Sequence, residues 1–121
     1  MTINIKGTAI VLTPEISNYL RKRLEAIEKF LPKEGDAFIA DVELGKTTNH
    51  HQTGDIFRAE INVHIGGKAF RAVSEKQDLY SAIDDMKDQI GRELASFKGK
   101  RLSIIRRSGQ RLKNLLRKFY R

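Results

Sequence analysis

Three histidines are the side chains of this sequence with the clearest potential as metal ligands. His50 and His51 are adjacent in a polar segment that also holds Asp55, and His64 follows further along the chain. Adjacent side chains of an extended segment point to opposite sides, so such a pair rarely shares one ion, and the spacing typical of zinc sites is missing. The pattern predicts a polar loop without a metal, while a site that joins His50 or His51 to Asp55 or His64 is the open alternative.

A run of carboxylates raises the question of acid–base catalysis. Asp84, Asp85 and Asp88 cluster in the first half of a predicted helix, where solvent-exposed acids suit the positive end of the helix dipole. No G-x-S-x-G, phosphate-binding glycine loop or nucleophile–base pair is recognisable. Cysteine is absent, which excludes thiol catalysis and disulfides. We therefore predict that the protein is not an enzyme and uses no cofactor.

The positive charge is concentrated at one end of the chain. Residues 1–97 carry 13 Lys and Arg and 15 Asp and Glu, a balance of −2, whereas residues 98–121 carry 10 Lys and Arg and no acid. This second balance of +10 brings the net charge to +8. Such asymmetry indicates a polyanionic partner, either a nucleic acid or an anionic membrane surface.

Residues 100–121 form a basic arm with leucines at helical spacing, which predicts a partly helical or disordered segment. An arm that contacts RNA phosphates is the interpretation we favour, because a complete lack of acids is hard to explain by solvation alone. A solubilising terminus and a membrane-surface helix are the alternatives. The candidate RNA-binding residues at the exit of the second helix and in the arm are Lys98, Lys100, Arg101, Arg106 and Arg107.

Basic side chains on the two predicted helices add to the positive charge of the basic arm. Arg21, Lys22 and Arg23 cluster on the first helix, and Lys87 and Arg92 project from the second. Taken alone, they are typical of an ordinary solvated helix face. The interpretation as RNA-binding residues is favoured because the second helix continues directly into the basic arm.

The pattern of hydrophobic residues predicts the strands and helices that carry these side chains. Polar and apolar residues alternate from Thr2 to Thr8, which predicts a strand. Thr13 is a helix cap and Pro14 suits the first helical position. The spacing of apolar residues predicts that this helix continues to Leu31 and ends before Pro32. Alternation then predicts antiparallel strands over Phe38–Leu44 and Phe57–Ile65, with His64 facing solvent.

The rest of the pattern completes the fold. Gly66 and Gly67 predict a tight hairpin into a short strand, Lys68–Val73. A second helix begins at the cap Asp78 and ends near Gly99. The order β-α-β-β-β-α predicts an α+β two-layer sandwich over residues 1–99, related to double-stranded-RNA-binding folds. Both helices pack on one face of a four-stranded sheet, and the other face stays polar and open.

Several of these segments resemble the ribosome hibernation promoting factors, also called ribosome-associated inhibitors or sigma-54 modulation proteins. Residues 78–84, D-L-Y-S-A-I-D, are similar to the family signature D-x-Y-x-A-I-D. The opening Ile3-x-Ile5, the helix start at residues 12–14 and the pattern R-L-x-x-I-E-K-F over residues 23–30 also match. The resemblance covers roughly residues 1–100, and the length is similar to that of the short members.

The resemblance implies a non-catalytic protein that binds the small ribosomal subunit, and with it 70S or 100S ribosomes. Family members occupy the mRNA and tRNA channel through contacts with 16S-type rRNA phosphates, and they inhibit translation under stress or in stationary phase. Arg23 and Lys29 match basic positions of the first helix, and Arg92 and Lys100 match those of the second. Gln89, where members often carry Lys, and Gly91 inside the helix depart from the family pattern.

Two other functions remain open from the sequence, namely a general double-stranded-RNA-binding module and a protein–protein modulator of transcription. The chain has no apolar run long enough for a membrane span and no recognisable secretory signal, so we expect a cytoplasmic location and no membrane partner. We expect no small-molecule substrate.

Overall fold

The computed structural model describes residues 1–28, 38–47 and 54–98. Its strands are β1 (Thr2–Thr8), β2 (Phe38–Thr47), β3 (Ile56–Ile65) and β4 (Lys68–Lys76). Helix α1 spans Pro14–Glu25, and helix α2 spans residues 79–98. The order β1-α1-β2-β3-β4-α2 and the α+β class agree with the prediction from the sequence.

The four strands form one mixed sheet in the order β1-β2-β3-β4. β1 and β2 are parallel, with Ile3 opposite Ala40, whereas β2–β3 and β3–β4 are antiparallel. Parallel neighbours require a crossover, and α1 lies in it. The β3–β4 hairpin turns at Gly66 and Gly67, both at positive φ (55° and 75°), which is the backbone that a two-residue hairpin of type I′ needs.

The core lies between the two helices and one face of the sheet. Side chains of β2 and β3 alternate between buried and more exposed positions, so each strand gives one face to the core. The largest fully buried side chains are Leu20, Leu24, Ile27, Leu44, Ile61, Ile83, Met86, Ile90, Leu94 and Val63. The helices supply most of this set, which confirms that both cover the same face of the sheet.

Both predicted helix caps are present. The Thr13 hydroxyl accepts a hydrogen bond of 3.2 Å from the Ile16 N–H, and Pro14 stands in the first turn, where its missing N–H leaves no donor unpaired. At α2, an Asp78 carboxylate oxygen accepts from the Ser81 N–H at 3.0 Å. Within the described part of the chain, neither helix has the combination of length and apolar character that a membrane crossing needs.

Two predicted boundaries are wrong. α1 ends at Glu25 instead of continuing to Leu31, because the Ile27 N–H bonds to the Leu24 carbonyl three residues back, the tighter pattern that closes a helix. β4 continues past Val73 to Lys76. Polar side chains end the alternating pattern there, yet the ladder to β3 persists.

Several predicted features lie outside the described residues. They are Leu31 and Pro32, the predicted loop with His50 and His51, the predicted end of the second helix at Gly99, and the basic arm over residues 100–121.

Candidate nucleic-acid interface

Helices α1 and α2 run side by side in the same direction. The Tyr19 and Tyr80 rings meet edge to face, with centroids 4.8 Å apart. One turn further along both helices, Arg23 Nε lies 2.9 Å from Asp84 Oδ1. Beyond that, Ile27 packs against Gly91. The contacts advance together along both helices, so α1 ends beside the middle of α2.

The cations predicted from the sequence lie in the C-terminal half of α1 and in the middle of α2. Arg21, Lys22 and Arg92 are exposed there, and none of the three makes an ion pair within residues 1–28, 38–47 and 54–98. Lys87 is half-buried, and its Nζ lies 3.3 Å from Asp88 Oδ1. Lys22 and Arg23 are in the last turn of α1, where cations suit the negative end of the helix dipole. We call Arg21, Lys22, Arg23, Lys87 and Arg92 the helix cations.

A groove of about 270 Å³ lies between the residues that follow α1 and the middle of α2. Ala26 and Ile27, just past the end of α1, form one wall, and Lys87 and Arg92 lie on the α2 side. Gly91 is buried at its base, where an added Cβ would lie 3.4 Å from Ile27 Cγ2. This position, a departure from the family pattern, therefore has room for the Cβ of alanine but not for a longer side chain.

The guanidinium of Arg23 is fixed between the helices. Its Nε donates to Asp84 Oδ1 at 2.9 Å, and its Nη2 donates to Tyr19 Oη at 2.9 Å. The Tyr19 hydroxyl in turn donates to the same Asp84 oxygen at 2.7 Å, and the guanidinium carbon lies 4.6 Å from the Tyr19 ring centroid. The hydrogen bond with Tyr19, and then the charge of Asp84, raise the pKa of Arg23 above its ordinary value.

Asp84 and Asp85 are partly exposed, and each also makes side-chain contacts that the predicted solvated face did not include. Asp84 binds Tyr19 and Arg23, and Asp85 Oδ2 accepts hydrogen bonds from Ser74 Oγ at 2.6 Å and Gln89 Nε2 at 2.9 Å. The Ser74 bond is the main cause that lowers the pKa of Asp85 below its ordinary value. Asp88 remains exposed on α2, as predicted.

Gln89, the other departure from the family pattern, has a structural role. Its Nε2 also donates to the Val73 carbonyl at 3.2 Å, so the side chain is directed to β4 and not to the outer surface. A contact from this position to a phosphate would require these bonds to break.

The open face of the sheet is polar, as predicted, but its charges are compensated. Glu60 binds Arg71 at 2.8 Å and Arg58 at 3.1 Å. Asn4 donates to Asp41 across β1 and β2, and the exposed His64 lies 3.9 Å from Asp41. A shallow depression of about 280 Å³ on this face is lined by three acids, Asp41, Glu43 and Glu60, and one base, Lys6. This face therefore offers no excess of positive charge to a polyanion.

The remaining predicted site residues fall into two groups. Lys98 is exposed near the end of the described part of α2. Lys29, Lys100, Arg101, Arg106 and Arg107 lie outside the described residues. The part of the chain that the structure describes holds no group of three or more His, Asp and Glu placed to bind a metal.

Tyr19 and Tyr80 belong to the candidate site, although neither carries the positive charge by which the sequence pattern selects residues. Tyr19 and Arg23 are four residues apart and so share one side of α1, a spacing that signals contact between two helical side chains. Tyr80 lies in the segment that resembles the family signature, and its side chain packs against Tyr19 and stays 38% exposed.

Comparison with protein families yields one match over most of the chain. The sequence profile of the family described as Sigma 54 modulation protein / S30EA ribosomal protein matches residues 3–102. This range includes both helices, every helix cation and all four strands except the first residue of β1, Thr2.

Individual relatives agree with that match. A ribosome hibernation promoting factor of Klebsiella oxytoca is 28% identical over 100 residues, which are 83% of this chain and 96% of the relative. A ribosome hibernation promotion factor of Picosynechococcus sp. is 33% identical over 100 residues, again 83% of this chain. Those residues make up 50% of that relative, so this chain matches half of its length.

Solved structures share the fold. The N-terminal domain of Protein Y from Thermus thermophilus superposes with a TM-score of 0.66 at 28% identity, over 80% of this chain and 99% of that domain. A ribosomal subunit interface protein from Coxiella burnetii gives a TM-score of 0.64 at 16% identity, over 82% of this chain and 99% of the other. This second likeness concerns the fold alone.

Proposed function

This chain belongs to the Sigma 54 modulation protein / S30EA ribosomal protein family, and from that premise we propose that it is a ribosome hibernation factor. In this proposal it binds the small ribosomal subunit in the channel used by mRNA and tRNA, and it inhibits translation under stress or in stationary phase. The observation that carries the proposal is the family match over residues 3–102, nearly the whole α+β body.

The Klebsiella oxytoca relative supports the same function for this chain. It is named a ribosome hibernation promoting factor, and the aligned residues are 96% of its length, so the likeness is not confined to a shared module. Ribosomal RNA is then the polyanion that the excess positive charge of residues 98–121 would attract.

The proposed contacts are made with rRNA phosphates. Exposed Arg21, Lys22 and Arg92 have no ion pairs to break within the described residues, so they can release counterions from RNA at little cost to the protein. Phosphate contacts fix the orientation of a bound protein without reading the base sequence. The outer side of the helices then faces RNA, and the compensated open face of the sheet does not.

The basic arm contributes to the same binding. Residues 100–121 follow α2 closely in the sequence, and their cations, among them Lys100, Arg101, Arg106 and Arg107, add to the positive charge of the helix cations. This charge raises the rate of encounter with RNA, and its effect declines as salt is added.

Inhibition in this proposal requires occlusion and no catalysis. A folded body that occupies the channel excludes mRNA and tRNA by volume, and its phosphate contacts must hold it there against both competitors. The protein accordingly acts in the cytoplasm, where ribosomes are.

Competition tests this function directly. Small subunits loaded with the fluorescently labelled protein receive a leader mRNA together with initiator tRNA, and bound protein is measured by fluorescence polarisation. We expect mRNA and tRNA together to displace the protein, and the protein to reduce initiation in a reconstituted translation system. Simultaneous binding of all three, with initiation unchanged, would contradict the proposed site.

A further inference from the structure

We propose that Asp84 and Tyr19 are positioning residues that hold the Arg23 guanidinium in place to bind one RNA phosphate. This inference rests on the proposed function, because it assumes that the helix side of the molecule meets RNA. It assigns a role in binding to an acid and to a tyrosine, neither of which the positive charge pattern selects.

The hydrogen bonds of Arg23 leave it able to bind a phosphate. A guanidinium carries five N–H donors. Nε is used by Asp84, and one N–H of Nη2 is used by Tyr19 Oη. The other three N–H groups have no hydrogen-bond acceptor among residues 1–28, 38–47 and 54–98, and the side chain is 45% exposed. The edge that faces away from Asp84 is therefore available for the two-point contact that guanidinium makes with phosphate.

The scaffold around Arg23 restricts its motion in three ways. Asp84 fixes one edge of the guanidinium, the Tyr19 hydroxyl fixes another, and the Tyr19 ring lies 4.6 Å from the guanidinium carbon. The Tyr80 ring of α2 packs edge to face against the Tyr19 ring. A free arginine loses much rotamer freedom when it binds, and a guanidinium that is already held in place loses less.

The two possible effects of Asp84 on RNA binding have opposite signs. As a charge, its carboxylate repels phosphates, so its removal should tighten binding by the protein. As a positioning group, it keeps Arg23 oriented, so its removal should weaken binding. Asp88 offers a matched comparison, because it is also on α2, is 57% exposed beside 46% for Asp84, and contacts Lys87 but not Arg23.

The test compares Asp84→Ala with Asp88→Ala in the full chain, by titrating each protein against purified small ribosomal subunits at fixed salt. Both substitutions remove one negative charge and the same atoms. We expect Asp84→Ala to weaken binding by about fivefold, and Asp88→Ala to leave affinity unchanged or to improve it. Tyr19→Phe, which changes no charge, should also weaken binding by about threefold, because it removes the hydroxyl and keeps the ring.

A double-mutant cycle separates positioning from a purely structural role. In the Arg23→Ala background nothing remains to be positioned, so adding Asp84→Ala should no longer weaken binding. If Asp84 only supports the fold, its loss weakens binding equally in both backgrounds. That result would overturn the inference, as would tighter binding by Asp84→Ala alone.

The outcomes also separate this inference from the proposed function. If the unaltered protein does not bind small subunits, both fail. If it binds and the Asp84→Ala and Asp88→Ala variants behave alike, the proposed function stands and the positioning role is overturned.

Discussion

Ser74 on β4 donates a hydrogen bond of 2.6 Å to the Asp85 carboxylate on α2. Ser74 is 4% exposed and is the one buried polar residue in the described part of the chain. Gln89 joins the pair by donating to Asp85 and to the Val73 carbonyl. The network ties the helix to the edge strand of the sheet, and thereby fixes the surface on which the helix cations stand.

Ser74→Ala should lower the free energy of unfolding by about 1–2 kcal/mol at neutral pH, because it removes a hydrogen bond to a charged group from a buried site. Urea denaturation measures the change. Glu75→Ala is the control, since the neighbouring Glu75 is exposed, and we expect a change within about 0.5 kcal/mol. Equal effects of both substitutions would contradict the role assigned to Ser74.

The effect of Ser74→Ala should depend on pH. Asp85 has a lowered pKa in the folded protein, chiefly because of Ser74, so its stabilising effect is present above the ordinary value of 3.8. It is lost as the pH falls through the lowered pKa, where the folded carboxylate takes up its proton. The stability difference between the unaltered protein and Ser74→Ala should therefore shrink below about pH 4. A constant difference across that range would assign the effect to packing alone.

Gly91 allows a separate test of helix packing. Gly91→Ala should raise the free energy of unfolding by up to about 1 kcal/mol, because alanine favours the helix and its Cβ meets only the Cγ2 end of Ile27. Gly91→Leu should lower it, because the longer side chain must push the end of α1 away. Thermal unfolding of both variants measures these changes. A leucine variant as stable as the unaltered protein would contradict the close contact between Ile27 and Gly91.

Neutralising the helix cations should weaken RNA binding in proportion to the number of phosphates that they neutralise. Each of Arg21→Gln, Lys22→Gln and Arg92→Gln should reduce the slope of log affinity against log salt by about 0.7–0.9. Folding should be unaffected, because the three side chains are exposed. Arg71→Gln on the open face of the sheet makes the same charge change, and its slope should stay near that of the unaltered protein. An equally large reduction for Arg71→Gln would mean that net charge, and not location, governs binding.

The basic arm can be tested within the full chain. Replacement of Lys100, Arg101, Arg106 and Arg107 by Gln should reduce the salt slope by up to about 3, since each contributes at most one phosphate contact. Urea denaturation of the same variant should match that of the unaltered protein. An unchanged salt slope would show that the arm does not contact RNA.

Local features of the fold could be predicted from the sequence because they depend on neighbouring residues. The Thr13 and Asp78 caps, the hairpin at Gly66 and Gly67 and the alternation in β2 and β3 each follow from short-range chemistry. The end of β4 could not be read in this way, because strand pairing with β3 maintains Ser74 to Lys76 after the apolar pattern has ended.

The candidate site was less predictable, because its contacts join distant parts of the sequence. Arg21, Lys22 and Arg92 could be selected by charge and exposure alone. The bond from Tyr19 to Asp84 spans 65 residues, and it forms only because α1 and α2 pack side by side. From the sequence, Gly91 is only a poor helix former, whereas in the packed structure it is the point at which Ile27 contacts α2.

The most direct test of the account is sedimentation with separated ribosomal subunits. The full chain is mixed with purified small or large subunits at low salt and at severalfold higher salt, and the protein in each pellet is measured by immunoblotting. The account predicts binding to the small subunit and not to the large one, with affinity at least tenfold weaker at high salt. Equal binding to both subunits, or binding to the small subunit that salt leaves unchanged, would contradict it.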